Sequence, residues 1–92
     1  MATLTMYVDS GVRSSAARTY LKNLSVTYNE INVTADPNAE EFLNAQQRPV
    51  SKYNLPQFYV GDKLVWANGF KDVSGLTLEQ INEKIEEINA SN

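Results

Sequence analysis

The spacing of apolar residues changes several times along this chain, and each change marks an element. Leu4-Thr5-Met6-Tyr7-Val8 is a short run of β-branched, aromatic and aliphatic residues and predicts a buried strand. From 12 to 24 the apolar positions Ala17, Leu21 and Leu24 recur at helical spacing, with Arg18 and Lys22 left for solvent. Asn23-Leu24-Ser25 closes that helix. A second strand is predicted over 28–33, with Ile31 and Val33 on one face. Asp36-Pro37 opens another helix: Asp accepts from free amides of the first turn, and proline is tolerated at the first helical position. Ala39, Phe42 and Leu43 give it an inner face, and it ends near Gln46.

After a loop over 48–54, two strands at 57–60 and 63–67 flank Gly61-Asp62, a two-residue hairpin turn with glycine at its first central position. Trp66 alternates with Leu64 on the second of these and reads as core. Thr77-Leu78-Glu79-Gln80 has the spacing of a capping box, and Leu78, Ile81, Ile85 and Ile88 form one stripe on the helix it starts. Strand–helix–strand in so few residues is a βαβ unit with parallel strands and a right-handed crossover. The whole order, βαβαββα, predicts an α/β domain over 1–92: a four-stranded mixed sheet with helices on both faces.

Composition narrows the chemistry. The 92 residues contain no cysteine and no histidine, which removes thiolate and imidazole ligands and with them structural zinc and iron–sulfur sites. No cofactor is expected. A net charge of −3 argues against nucleic acid, whose phosphates call for a concentrated basic face. Glu79, Glu83, Glu86 and Glu87 crowd the last helix, while Arg13, Arg18, Arg48, Lys52 and Lys71 lie elsewhere. No apolar stretch approaches the ~20 residues of a membrane span. The first residues lack the basic-then-apolar run of a signal peptide. A cytoplasmic protein, or part of a particle assembled in the cytoplasm, is the expectation.

Three segments carry a resemblance: Tyr7-Val8-Asp9-Ser10-Gly11-Val12-Arg13-Ser14, Asn54-Leu55-Pro56-Gln57-Phe58-Tyr59-Val60, and Asn68-Gly69-Phe70-Lys71-Asp72. In that order and spacing the chain resembles glutaredoxins and the related NrdH redoxins, from about Leu4 to about Ile85. They match the family's strand–C-x-x-C–helix, its Val-Pro-Gln strand and its Gly-Gly-x-Asp-Asp turn. The resemblance implies a thioredoxin-like, glutaredoxin-type fold. It also places the family's two cysteines at Gly11 and Ser14, or, in an ungapped register from Tyr7, at Val12 and Ser15. Neither register supplies sulfur, so the family's thiolate attack on a mixed disulfide has no nucleophile here. Ser14 is expected to have no base beside it, and Ser10, Ser14 and Ser15 read as helix-start residues.

The resemblance further implies a cis Leu55-Pro56 bond facing the former dithiol. It puts Lys71 where the family has an acid for the γ-glutamyl ammonium, and Asp9 or Ser10 where it has a lysine for the glycine carboxylate. Arg13 and Lys52 remain as possible carboxylate partners, yet glutathione binding is expected to be weak or absent. Arg13, Tyr53, Leu55, Pro56, Phe70 and Lys71 are expected to gather on one side as a partner-binding face, with Phe70 in an exposed turn. The functional expectation is a non-catalytic binding or structural module, a subunit or adaptor in a larger assembly, a viral particle included, with a protein partner. The alternative is a glutathione-binding or transferase-like protein that has lost thiol redox activity.

Overall fold

A computed structural model describes residues 2–51 and 54–91. Its elements are β1 (Leu4–Val8), α1 (Val12–Asn23), β2 (Tyr28–Asn32), α2 (Pro37–Ala45), β3 (Gln57–Val60), β4 (Lys63–Leu64), α3 (Phe70–Val73) and α4 (Leu78–Ala90). They form a four-stranded mixed sheet in the order β2-β1-β3-β4. β1 runs parallel to β2, with Tyr7 opposite Ile31, and antiparallel to β3, with Met6 opposite Phe58. β3 and β4 are antiparallel across Gly61-Asp62, where Gly61 takes the positive φ of 64° that the turn needs. This is the thioredoxin-like arrangement that the sequence predicts.

Strand alternation divides the interior into two cores. Leu4, Met6, Val8, Phe58 and Val60 point to the side covered by α1, α3 and α4, where they meet Ala17, Leu21, Val73 and Ile81. Leu21 is fully buried there, a contribution of roughly 1.5–3 kcal/mol. Trp66 is buried as read, its ring edge-on to Phe58 at 5.3 Å. Tyr7 and Tyr59 point to the other side, against Ala39 and Leu43 of α2. The Phe42 ring stacks on Tyr7 at 5.4 Å and meets Tyr59 edge-on at 5.2 Å.

The tyrosines of that second core make stability pH-dependent. Burial raises the pKa of Tyr59 and of Tyr7 above the ordinary 10.0, with the Asp36 carboxylate adding to the rise at Tyr7. Folding therefore favours the neutral phenols. Their contribution is complete below pH 10, the unfolded value, and falls as pH climbs through the higher folded values. The urea midpoint is expected to hold from pH 8 to 9.5 and to fall by pH 11.5; an unchanged midpoint contradicts this.

Helix ends follow the local chemistry. Asp36 Oδ1 accepts from the Asn38 amide at 2.9 Å, and Pro37 is the first helical residue. Thr77 and Gln80 exchange both bonds of a capping box. α1 and α2 both stop in Schellman motifs. In α2 the Gln47 amide donates to Asn44 O and the Arg48 amide to Leu43 O, with Gln47 at φ 61°. A side chain in that left-handed conformation costs about 1–2 kcal/mol. Gln47→Gly is accordingly expected to stabilise the fold by roughly 0.5–1.5 kcal/mol, read as a higher denaturant midpoint with an unchanged slope.

Three local readings need correction. The fourth strand ends at Leu64 rather than 67, because the Trp66 carbonyl accepts from the Gly69 amide in a turn instead of joining a ladder. Residues 70–73, expected only as an exposed turn, form a short helix. No serine caps α1: its N-cap is Gly11, with extended backbone and no side-chain bond.

Candidate functional site

At the start of α1, the chain leaves β1 through Asp9 and enters the helix at Val12. Asp9 Oδ1 accepts from the Gly11 amide at 2.9 Å, an Asx turn that fixes the strand-to-helix corner. The same oxygen accepts from Ser14 Oγ at 3.0 Å, and Ser14 Oγ in turn accepts from the Asp9 amide at 3.2 Å. The expectation that Ser14 has no base beside it is thus corrected: a carboxylate adjoins it. The side chain is nevertheless fully buried and its hydroxyl engaged twice, so it holds the corner. Gly11 contributes only backbone, and an added Cβ would stand 3.0 Å from Asp9 Oδ1.

The second wall is built by the loop before β3 and the turn before α3. The Leu55-Pro56 peptide bond is cis. Gly69, at φ 59° and ψ −129°, packs its α-carbon so close to this loop that a Cβ there would lie 2.5 Å from the Pro56 carbonyl oxygen. Only glycine reaches that backbone conformation without strain and leaves room for the carbonyl. Asp72 secures the turn: Oδ2 accepts from the Asn68 amide at 3.0 Å and Oδ1 from Asn68 Nδ2 at 3.2 Å.

Phe70 differs from its sequence reading. It is half-buried, packs on the first core and meets Tyr20 edge-on at 5.9 Å. The Tyr20 hydroxyl donates to the Leu76 carbonyl at 2.7 Å and accepts from the Gly75 amide at 2.9 Å. These contacts tie α1 to the α3–α4 connection and make Phe70 a packed wall residue rather than an exposed anchor.

Between the walls lies a groove of about 440 Å³. Arg13, Leu55, Pro56, Phe70 and Lys71 all line it. Tyr53 and Lys52 lie outside the described residues. The sequence reading did not assign Arg48, Gln57, Trp66 or Asn68 to this site, yet all four line it. Arg48 arrives through the Schellman turn of α2 and donates from Nη1 to the Ala67 carbonyl at 3.4 Å. Gln57 is buried, donating from Nε2 to the Arg48 carbonyl at 3.2 Å and accepting from the Tyr59 hydroxyl at 2.8 Å. Its signal was readable, since a glutamine inside an otherwise apolar strand must find partners. Arg48 had no such signal.

The groove has a definite electrostatic character. Arg13, Arg48 and Lys71 line it, and no aspartate or glutamate among the described residues does. The Leu55 amide and carbonyl have no hydrogen-bond partner among the described residues. Backbone groups in such a setting are paired by water or by a ligand.

The glutaredoxin family model matches residues 12–65, more than half of the 92. The chain belongs to the glutaredoxin family. No curated protein matches it. The match runs from the first residue of α1 through β4, so it includes Arg13, Arg48, Leu55 and Pro56 but not the Gly69 turn. This glutaredoxin-family chain has no cysteine, and therefore no thiol of its own for the family's redox chemistry. Among its described residues, no helix is long and apolar enough to cross a membrane.

Proposed function

We propose that this glutaredoxin-family chain is a non-catalytic binding module, a subunit or adaptor that engages another protein through the groove between α1, the Pro56 loop and the Gly69 turn. One observation carries the reading: cations, an apolar floor and an open backbone segment line a single groove, while Gly11 and Ser14, the dithiol positions in one of the two registers, are spent on the helix corner. An apolar centre with a charged rim is the composition of a protein contact. A cytoplasmic setting, or a particle assembled there, suits such a role.

The open Leu55 backbone also favours a second reading, a glutathione carrier without redox activity. Against it, the resemblance to the family puts Lys71 at the position of an acid that pairs the γ-glutamyl ammonium, and both Asp72 oxygens are engaged by Asn68.

A photo-crosslinking residue in place of Ala67, exposed at the groove, tests the proposal. In native extract it should capture a discrete protein, and Arg13→Glu with Lys71→Glu should abolish the capture. The same crosslinker at Glu41, on exposed α2, should not capture that protein. Equal capture from both positions, or capture indifferent to the charge reversal, overturns it.

A further inference from the structure

We infer that the occupant of the groove is an acidic, extended polypeptide segment; this rests on the binding-module reading and names its ligand class. Charge is the first ground. The described ion pairs of the chain, Arg18 with Glu30 at 2.8 Å and Lys84 with Glu87 at 4.0 Å, lie outside the groove. Neither Arg48 nor Lys71 has a carboxylate partner among the described residues. A protein of net charge −3 thus places Arg13, Arg48 and Lys71 around one groove whose described lining includes no aspartate or glutamate. That local excess selects against cationic and zwitterionic ligands and favours carboxylates, chiefly through the rate of encounter.

The open backbone is the second ground. A helical segment keeps its amides and carbonyls in its own i to i−4 bonds and has few to offer the Leu55 amide and carbonyl. An extended segment fits, and the unpartnered Leu55 amide and carbonyl offer it backbone pairing of the strand-addition kind. Successive side chains of an extended segment point to opposite sides. One set then meets the Pro56, Trp66 and Phe70 surface and the other meets the Arg13, Arg48 and Lys71 rim. The ligand class is therefore a stretch that alternates acidic and apolar residues. Nucleic acid fits less well, since three cations line the groove among the described residues and the chain as a whole carries excess acid.

The test uses the full chain and a fluorescein-labelled octapeptide of alternating glutamate and leucine, read by polarisation. The sole tryptophan, Trp66, lines the groove and gives a second, intrinsic signal. Saturable binding is expected, weakened at least fivefold between 20 and 300 mM NaCl, an order-of-magnitude expectation from screening. Lys71→Glu and, separately, Arg48→Gln should each weaken it by roughly fivefold or more, with circular dichroism spectra unchanged. A lysine–leucine octapeptide, glutathione and a thymidine octanucleotide serve as comparators. The inference is overturned if any comparator binds more tightly than the acidic peptide. It is also overturned if the acidic peptide binds both variants as well as the parent. If no peptide binds while the Ala67 crosslink still depends on Lys71, the ligand class is wrong and the groove reading stands; if the crosslink is lost as well, both fall.

Discussion

Gly69→Ala is expected to lower the thermal midpoint by more than about 10 °C. Two costs combine. A side chain at φ 59° and ψ −129° costs about 1–3 kcal/mol in backbone strain. The added methyl would also stand 2.5 Å from the Pro56 carbonyl oxygen, and relieving such crowding costs a further 1–3 kcal/mol or so. Taken together this centres on roughly 4 kcal/mol, and each kcal/mol moves a domain of this size by about 4–8 °C. Gly75→Ala separates the two terms. Gly75 also has positive φ, at 90°, but nothing lies within 4 Å of its would-be Cβ, so only the strain applies. Differential scanning calorimetry of the pair should show the Gly69 variant falling clearly further. Equal losses would mean that contact with the Pro56 loop does not constrain this turn.

Rebuilding the dithiol is the second large effect, and it is expected to fail. In Gly11→Cys/Ser14→Cys the first sulfur extends from a Cβ about 3.0 Å from Asp9 Oδ1, and that carboxylate disfavours a thiolate. Asp9 also takes the Gly11 amide, one of the donors that an anion at this helix start would use. The second sulfur replaces a fully buried hydroxyl. A thiol left at about the free-cysteine pKa of 8.5 is only about 3% thiolate at pH 7, against nearly complete ionisation for one lowered to about 5. The pH–rate profile of iodoacetamide alkylation at the first position should therefore have its midpoint at about 8.5 or above, and glutathione-coupled disulfide reduction should show no turnover. Adding Asp9→Asn should speed the alkylation. Fast alkylation with Asp9 in place would show that the carboxylate does not govern this corner.

The fold was legible because its signals are local. The Asp36-Pro37 start, the Thr77–Gln80 box, the Gly61-Asp62 turn and the stripes on α1 and α4 each act within a few residues. The order of those elements then leaves few arrangements of the sheet. The end of β4 was less legible, because pairing stops where Trp66 enters a turn whose geometry depends on Gly69 meeting Pro56. The site was readable only where a motif marks it. Arg13, Leu55, Pro56, Phe70 and Lys71 belong to segments with recognisable sequence, whereas Arg48 sits in a plain loop and reaches the groove because a Schellman turn redirects the chain. Phe70 shows the reverse limit: the sequence places it in a turn, but only its packing on Tyr20 shows that it is wall rather than rim. Ser14 is similar, since its contact with Asp9 spans the strand-to-helix corner and is not set by helical spacing alone.

The account stands on the groove being a binding surface, and amide chemical-shift mapping during titration with the glutamate–leucine octapeptide tests that most directly. Saturating shifts are predicted for Arg13, Arg48, Leu55, Asn68 and Lys71 and for the Trp66 indole, with β2 and the acidic face of α4 unmoved. Shifts confined to β2 or α4, with the groove resonances still in place at saturation, would contradict it.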